Sequence, residues 1–205
     1  TAKPSPELRA LVPHHVIDVL EPDQDFSLAL YQKMARWAIE DIAGRGKVPI
    51  MAGGTGLYVW SVIEGWQLPP VPPDPALRRE LETRAAQCGS DELYRELEAA
   101  DPEAARRLDR RNLRRVVRAL EICASSGRPS PRGTKLPPSF QTLLVGRTAP
   151  RQRLYQRIDA RVDDMMAGGL VPEVQGLRDR GYSLELPAMS GLGYRQIGLH
   201  LTGQL

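Results

Sequence analysis

Behind Ser27 the apolar positions Leu30, Met34, Ala38 and Ile42 recur every four residues. This is the stripe of an amphipathic helix with a serine N-cap, and Gly44 and Gly46 supply its stop signal. Before it, residues 11–20 open with a turn and then alternate enough to predict a short strand. After it, residues 47–52 make a short apolar run closed by a glycine turn, the pattern of a buried parallel strand. Strand, helix and strand in this order argue for an α/β sheet. Residues 140–145 resume a strand-like apolar run. Pro150 then suits the first turn of a helix whose stripe is Leu154, Ile158, Val162 and Met165, closed by Gly168 and Gly169. A shorter helix is expected over 173–180, and no terminating element is evident before Leu205.

Proline interrupts this pattern. Residues 68–75 hold five prolines in eight positions, too stiff for a helix or a central strand and suited to a domain boundary. Residues 76–127 read as helices with no credible strand, and a second Gly/Pro-rich passage over 127–138 ends the block. The simplest organisation is an α/β core in two parts, 1–68 and 140–205, with an all-helical insertion at 69–139.

Composition narrows the class. The 205 residues are 41% hydrophobic and 26% charged, which is ordinary for a soluble globular protein. No apolar run approaches the ~20 residues of a membrane span. The opening residues lack the blocks of a signal peptide, so a cytoplasmic location is expected. Cys88 and Cys123 lack metal-binding spacing and read as buried, reduced thiols. His14, His15 and His200 are too scattered for a metal site, and no residue is assigned as a metal ligand. Net charge is only +3, yet arginine outnumbers lysine 24 to 4, and the arginine fork suits phosphate oxygens and base edges.

Three constellations carry candidate chemistry. Gly53-Gly54-Thr55-Gly56 follows the strand expected at 47–52; its glycines allow close backbone approach to an anion and its threonine offers a hydroxyl. A tight turn that needs only permissive angles explains it as well, and the pattern leaves both open. No Gly-Lys-Ser/Thr follows, so this is not a Walker loop. On one continuous helix, Arg106, Arg110, Arg114 and Arg118, with Arg107, Arg111 and Arg115 in a neighbouring row, make a broad basic face. Like charges so spaced repel by roughly 0.2–0.5 kcal/mol per pair, which Glu103, Asp109 and Glu121 offset only in part; a phosphate-rich partner is favoured over a solvated face with some ion pairs. Arg153, Arg157 and Arg161 repeat the spacing, but from spacing alone Asp159, Asp163 and Asp164 satisfy them as helical ion pairs.

Five ordered segments resemble the tRNA dimethylallyltransferases (tRNA isopentenyltransferases, the IPP transferase family). They are Pro13-His-His-Val-Ile-Asp-Val-Leu-Glu-Pro22, Arg45-Gly-Lys-Val-Pro-Ile-Met-Ala-Gly-Gly-Thr-Gly-Leu-Tyr58, Arg115-Val-Val-Arg-Ala-Leu-Glu121, Arg157-Ile-Asp-Ala-Arg-Val-Asp-Asp-Met165 and Gly193-Tyr-Arg-Gln196. The opening Thr1-Ala2-Lys3-Pro4 is similar to a family segment as well. The resemblance implies an incomplete P-loop-type parallel-sheet core with a helical insertion that grips the anticodon stem. The activity it implies is transfer of a dimethylallyl group from dimethylallyl diphosphate to N6 of an adenine beside the tRNA anticodon, with Mg²⁺ as helper and a base-flipping step. By the same resemblance Thr55, Arg157 and Arg161 are catalytic candidates, and Gly53, Gly54 and Gly56 line the phosphate turn. Arg78, Arg114, Arg115, Arg118, Gly193, Tyr194 and Arg195 are tRNA-binding candidates. The expected assembly is a monomer with tRNA and no membrane partner.

The chain also departs from the family. The phosphate loop and the Asp-Ser pair that supplies the general base belong before Thr1, a segment on the order of 40 residues given the size of a βαβ unit. The C-terminal helical extension is missing too. Where relatives read His-Pro-Asn-Asp, this chain has Asp109-Arg110-Arg111-Asn112, and Ser190 replaces a basic residue. The polypeptide alone is therefore expected to be catalytically dead. Two other readings stay open: an adenylate isopentenyltransferase acting on free nucleotide, and a non-catalytic RNA-binding module.

Overall fold

The computed structural model describes residues 3–126, 134–136 and 138–205. Thr1, Ala2 and most of the Gly/Pro-rich passage at 127–138 lie outside them. The chain divides into two compact units, residues 1–62 with 140–205 and residues 63–139.

In the first unit, α1 (Pro6–Leu11) is capped by Ser5, an element the alternation at 11–20 had hidden. α2 (Leu28–Gly44) begins where the stripe places it, with Ser27 Oγ accepting from Leu30 N at 3.1 Å. α3 (Gly56–Ile63) grows directly out of the glycine turn. α8 (Arg151–Ala167) ends at Gly168, and Gly169, at φ +94°, reverses the chain into α9 (Leu170–Asp179). A 3-10 helix (Pro187–Ser190) and α10 (Tyr194–Leu201) complete the unit. Its core is Leu170, Val174, Leu177 and Met189, walled by Tyr182, Leu184, Tyr194, Ile197 and Leu201.

Among the described residues the expected sheet does not form, at three places. Residues 11–20 form no strand; Val16 and Asp18 sit at φ +58° and +54°, and left-handed residues break the pleat a strand requires. Residues 47–52 and 140–145 are not in strands. A strand exists only through its neighbours' hydrogen bonds. No described segment pairs with these two as a strand, and Val48 and Ile50 remain 82% and 85% exposed and Leu143 89%. Among the described residues the one ladder contact is the isolated Trp66–Lys135 bridge.

The second unit is a four-helix cluster: α4 (Pro75–Cys88), α5 (Ser90–Ala100), α6 (Pro102–Arg107) and α7 (Leu113–Ser126). Leu81, Ala85, Leu93, Leu97, Ala104, Ala105, Val116, Val117, Ala119 and Leu120 form its core. Cys88, expected to be buried, is exposed. Asp74 and Asp101 cap α4 and α6, each with proline at the first helical position. Entry and exit of the chain pair with each other: Leu136 N donates to Gly65 O at 2.9 Å and Gln67 N to Thr134 O at 2.8 Å. Lys135 and Trp66 both reach the Glu64 carboxylate. Among the described residues no helix is long and apolar enough to cross a membrane.

Candidate functional site

The glycine turn is set by its flanks. Thr55 O accepts from Tyr58 N and Val59 N at 3.0 and 3.2 Å, which starts α3. Tyr58 stacks on Tyr31 of α2 with ring centres 4.5 Å apart, and Phe26 meets both edge-on. None of Gly53, Gly54 and Gly56 adopts a positive φ, and a Cβ on Gly53 or Gly54 meets nothing within 4 Å. Neither backbone conformation nor crowding inside the chain therefore demands glycine at 53 and 54.

The arginine array is corrected. It is not one helix: α6 ends at Arg107, and α7 begins at Leu113. The interruption follows from two short polar side chains that compete with helical hydrogen bonding. Asp109 Oδ1 accepts from Arg111 N at 2.9 Å, and Asn112 Oδ1 accepts from Arg115 N at 3.3 Å. The rows at steps of four are thus broken into a helix end, a turn and a new helix start. Arg106, Arg111, Arg114 and Arg115 are exposed. Among the described residues none of them has a carboxylate within ion-pair distance, while Arg110 lies 3.8 Å from Asp91.

Arg78 and Arg118 are placed differently. Both converge on Glu121, whose side chain is only 1% exposed. Arg78 Nε and Nη2 donate to its two oxygens at 3.1 and 2.9 Å. Arg118 Nη1 donates to the same carboxylate, as does Asp74 N, and Arg118 Nη2 reaches Val71 O at 2.8 Å. Burial pushes the Glu121 carboxyl up, but the two guanidinium groups and the Asp74 amide outweigh it and hold the acid below its ordinary range. Sequence reasoning treated Glu121 only as partial charge compensation. The available signal was its place on the apolar face of α7, four residues after Val117.

On α8, Arg157 and Arg161 are exposed, and no residue of this helix is buried. The ion pairs expected with Asp159, Asp163 and Asp164 do not form among the described residues. Leu154, Ile158 and Val162 are each 46% exposed, and the helix packs chiefly on α9. In the last motif Gly193, at φ +91°, donates its N–H to Gln196 Oε1 at 3.0 Å to cap α10. Tyr194 Oη donates to Glu173 at 2.6 Å. Arg195 is exposed and lines a cleft of about 460 Å³ with Arg178 and Tyr182. A second cleft of about 720 Å³ lies among Lys3, Asp18, Glu21, Glu173 and Tyr194. Neither cleft is lined by Thr55, Arg157 or Arg161, so the catalytic candidates do not converge on either one. Among the described residues no group of three or more His, Cys, Asp or Glu could hold a metal ion.

The sequence model described as IPP transferase matches residues 1–205. The chain belongs to the IPP transferase family. Among the family's curated members it is 52% identical to the tRNA dimethylallyltransferase of Roseiflexus castenholzii, over all of this chain and 67% of that one. It is also 52% identical to that of Thermomicrobium roseum, covering 63% of its length. Of solved family structures, the tRNA isopentenylpyrophosphate transferase from Bacillus halodurans has 36% identity and a TM-score of 0.63, with all of this chain and 64% of that one covered. A eukaryotic dimethylallyltransferase acting on tRNA has 26% identity and a TM-score of 0.78, over 98% of this chain and 52% of that one. The chain thus spans about two thirds of the length of these curated family members.

Proposed function

We propose that the chain is part of an enzyme that transfers a dimethylallyl group from dimethylallyl diphosphate to N6 of an adenine beside the tRNA anticodon, in the cytoplasm. The carrying observation is the whole-length match to the family at 52% identity. In this reading N6 attacks the allylic carbon, the carbon–oxygen bond to diphosphate breaks, and the N6 proton leaves to a base supplied outside residues 1–205. Gly53, Gly54 and Gly56 let backbone approach the diphosphate or the base, and Thr55 places its hydroxyl there. Arg157 and Arg161, exposed and without an ion pair among the described residues, offer charge to the diphosphate or to tRNA. Mg²⁺ belongs to the proposal only as a companion of the diphosphate.

Arg114 and Arg115 are assigned to RNA phosphates, with Arg78, Arg118, Gly193, Tyr194 and Arg195 as further tRNA contacts. Exposed arginines without carboxylate partners support this over a mononucleotide site, because one nucleotide does not need so broad a basic surface. Residues 47–52 and 140–145 are assigned to a P-loop-type sheet whose remaining strands lie outside residues 1–205. That assignment accounts for their exposed apolar side chains and for the inactivity we expect of the 205-residue chain.

The test is titration of the chain with an anticodon stem-loop across salt concentrations. Binding with a steep inverse salt dependence, not displaced by AMP, is the expected result. Displacement by AMP points to a free-nucleotide enzyme, and absence of binding at low salt by a folded sample defeats the RNA reading.

A further inference from the structure

We propose that Glu121 is a positioning residue for RNA binding, holding Arg78 and Arg118 as one oriented pair that takes a single phosphodiester. The inference rests on the RNA reading above. Its basis is a mismatch between what a buried carboxylate needs and what it has. One bidentate arginine neutralises a buried glutamate and occupies both of its oxygens. Arg78 already does this through Nε and Nη2. Arg118 adds a second full charge, so two guanidinium groups against one carboxylate leave a surplus of one positive charge.

That surplus is not buried. The side chains of Arg78 and Arg118 keep 37% and 32% of their surface exposed, against 1% for Glu121. Each guanidinium carries N–H donors in a rigid plane, and each uses only part of them within the chain. Arg78 Nη1 and Arg118 Nε make none of these contacts. The carboxylate therefore acts as an anchor for one edge of each plane and leaves other donors oriented outward.

The anchor is also tied to the chain. Asp74 N donates to Glu121, and Arg118 holds Val71 O, so the proline-rich connector is fastened to α7 at the same point. Arg114 and Arg115 differ: they are exposed and have no ion pair among the described residues, and each must lose side-chain freedom when it binds. The Glu121 pair has already lost that freedom, so an anion meets it preorganised.

The sign of one substitution separates this from a plain electrostatic role. If Glu121 only opposes the arginines, Glu121→Gln removes a repulsive charge and RNA binds more tightly. If Glu121 positions them, Glu121→Gln loosens both planes and RNA binds more weakly despite the gain in net positive charge.

The experiment measures stem-loop affinity of the 205-residue chain at fixed salt for wild type, Glu121→Gln, Arg78→Lys and Arg115→Ala, each with a thermal melt to establish folding. Arg78→Lys retains the charge and loses the planar fork, so it decides the matter even if Glu121→Gln fails to fold. We expect Glu121→Gln and Arg78→Lys each to weaken binding about tenfold, the scale of one charge-assisted contact. The double variant should be no weaker than the worse single one, since both changes dismantle one unit. Folded Glu121→Gln binding as well as wild type or better overturns the proposal, as does wild-type affinity in Arg78→Lys. If Arg115→Ala still weakens binding in that case, the RNA reading survives and only the positioning role falls. If wild type itself does not bind, both fall.

Discussion

Gln32, on α2, donates its side-chain amide to the Ser61 carbonyl on α3 at 2.7 Å, from a position 8% exposed. Helix-end carbonyls have no partner within their own helix, and Ser61 O lies in the last turn of α3. Together with the Tyr31–Tyr58 stack, this bond fixes the helix that carries Thr55 at its start.

Replacing Gln32 with leucine leaves that carbonyl without this donor. The expected loss is about 1–3 kcal/mol, the cost of an unsatisfied buried acceptor. A denaturant midpoint shifted down at unchanged slope checks it.

Gly65 is required by geometry. Its φ is +59°, and a Cβ built there falls 1.6 Å from Leu136 O. Gly65→Ala has to break the pairing of entry and exit segments, and the penalty should exceed the roughly 1 kcal/mol typical of alanine at positive φ. Loss of amide-exchange protection at Leu136 N, which donates to Gly65 O, is the diagnostic observation.

Arg114→Ala and Arg115→Ala should leave the melting curve within about 0.5 kcal/mol of wild type, because both side chains are exposed and have no ion pair among the described residues. In stem-loop binding each should lower the salt slope by about one. A change in stability comparable to the change in affinity runs against their assignment to phosphate.

These expectations show where the sequence was informative. Ser27 with its four-residue stripe sets the start of α2, and Pro150 with Gly168 and Gly169 brackets α8, because caps and stops are local chemistry. The arginine rows misled because periodicity alone does not register the turn formed by Asp109 and Asn112. The strands expected at 47–52 and 140–145 depend on neighbours, and no local pattern supplies those. Glu121 was legible only as a charge on an apolar face; its two arginines lie 43 residues and three residues away in sequence.

Acid should act on the second unit through Glu121. Its carboxyl is held below the ordinary range, so the stabilisation is complete above the unfolded-state value, about 4.3. It is lost as pH falls through that value towards the lower folded one. Melting temperatures of wild type should therefore drop on acidification by more than those of Glu121→Gln. Parallel pH curves for the two proteins exclude a contribution from this group.

The paired segments at 64–67 and 134–136 set the entry and exit of residues 63–139 side by side. Where a chain enters and leaves a unit side by side, a host loop can accept the whole unit at little more entropic cost than a longer hairpin, since loop-closure cost grows only with the logarithm of length. The clasp of Glu64, Gly65, Trp66 and Lys135 thus marks the seam at which such a unit can be grafted, shortened or exchanged.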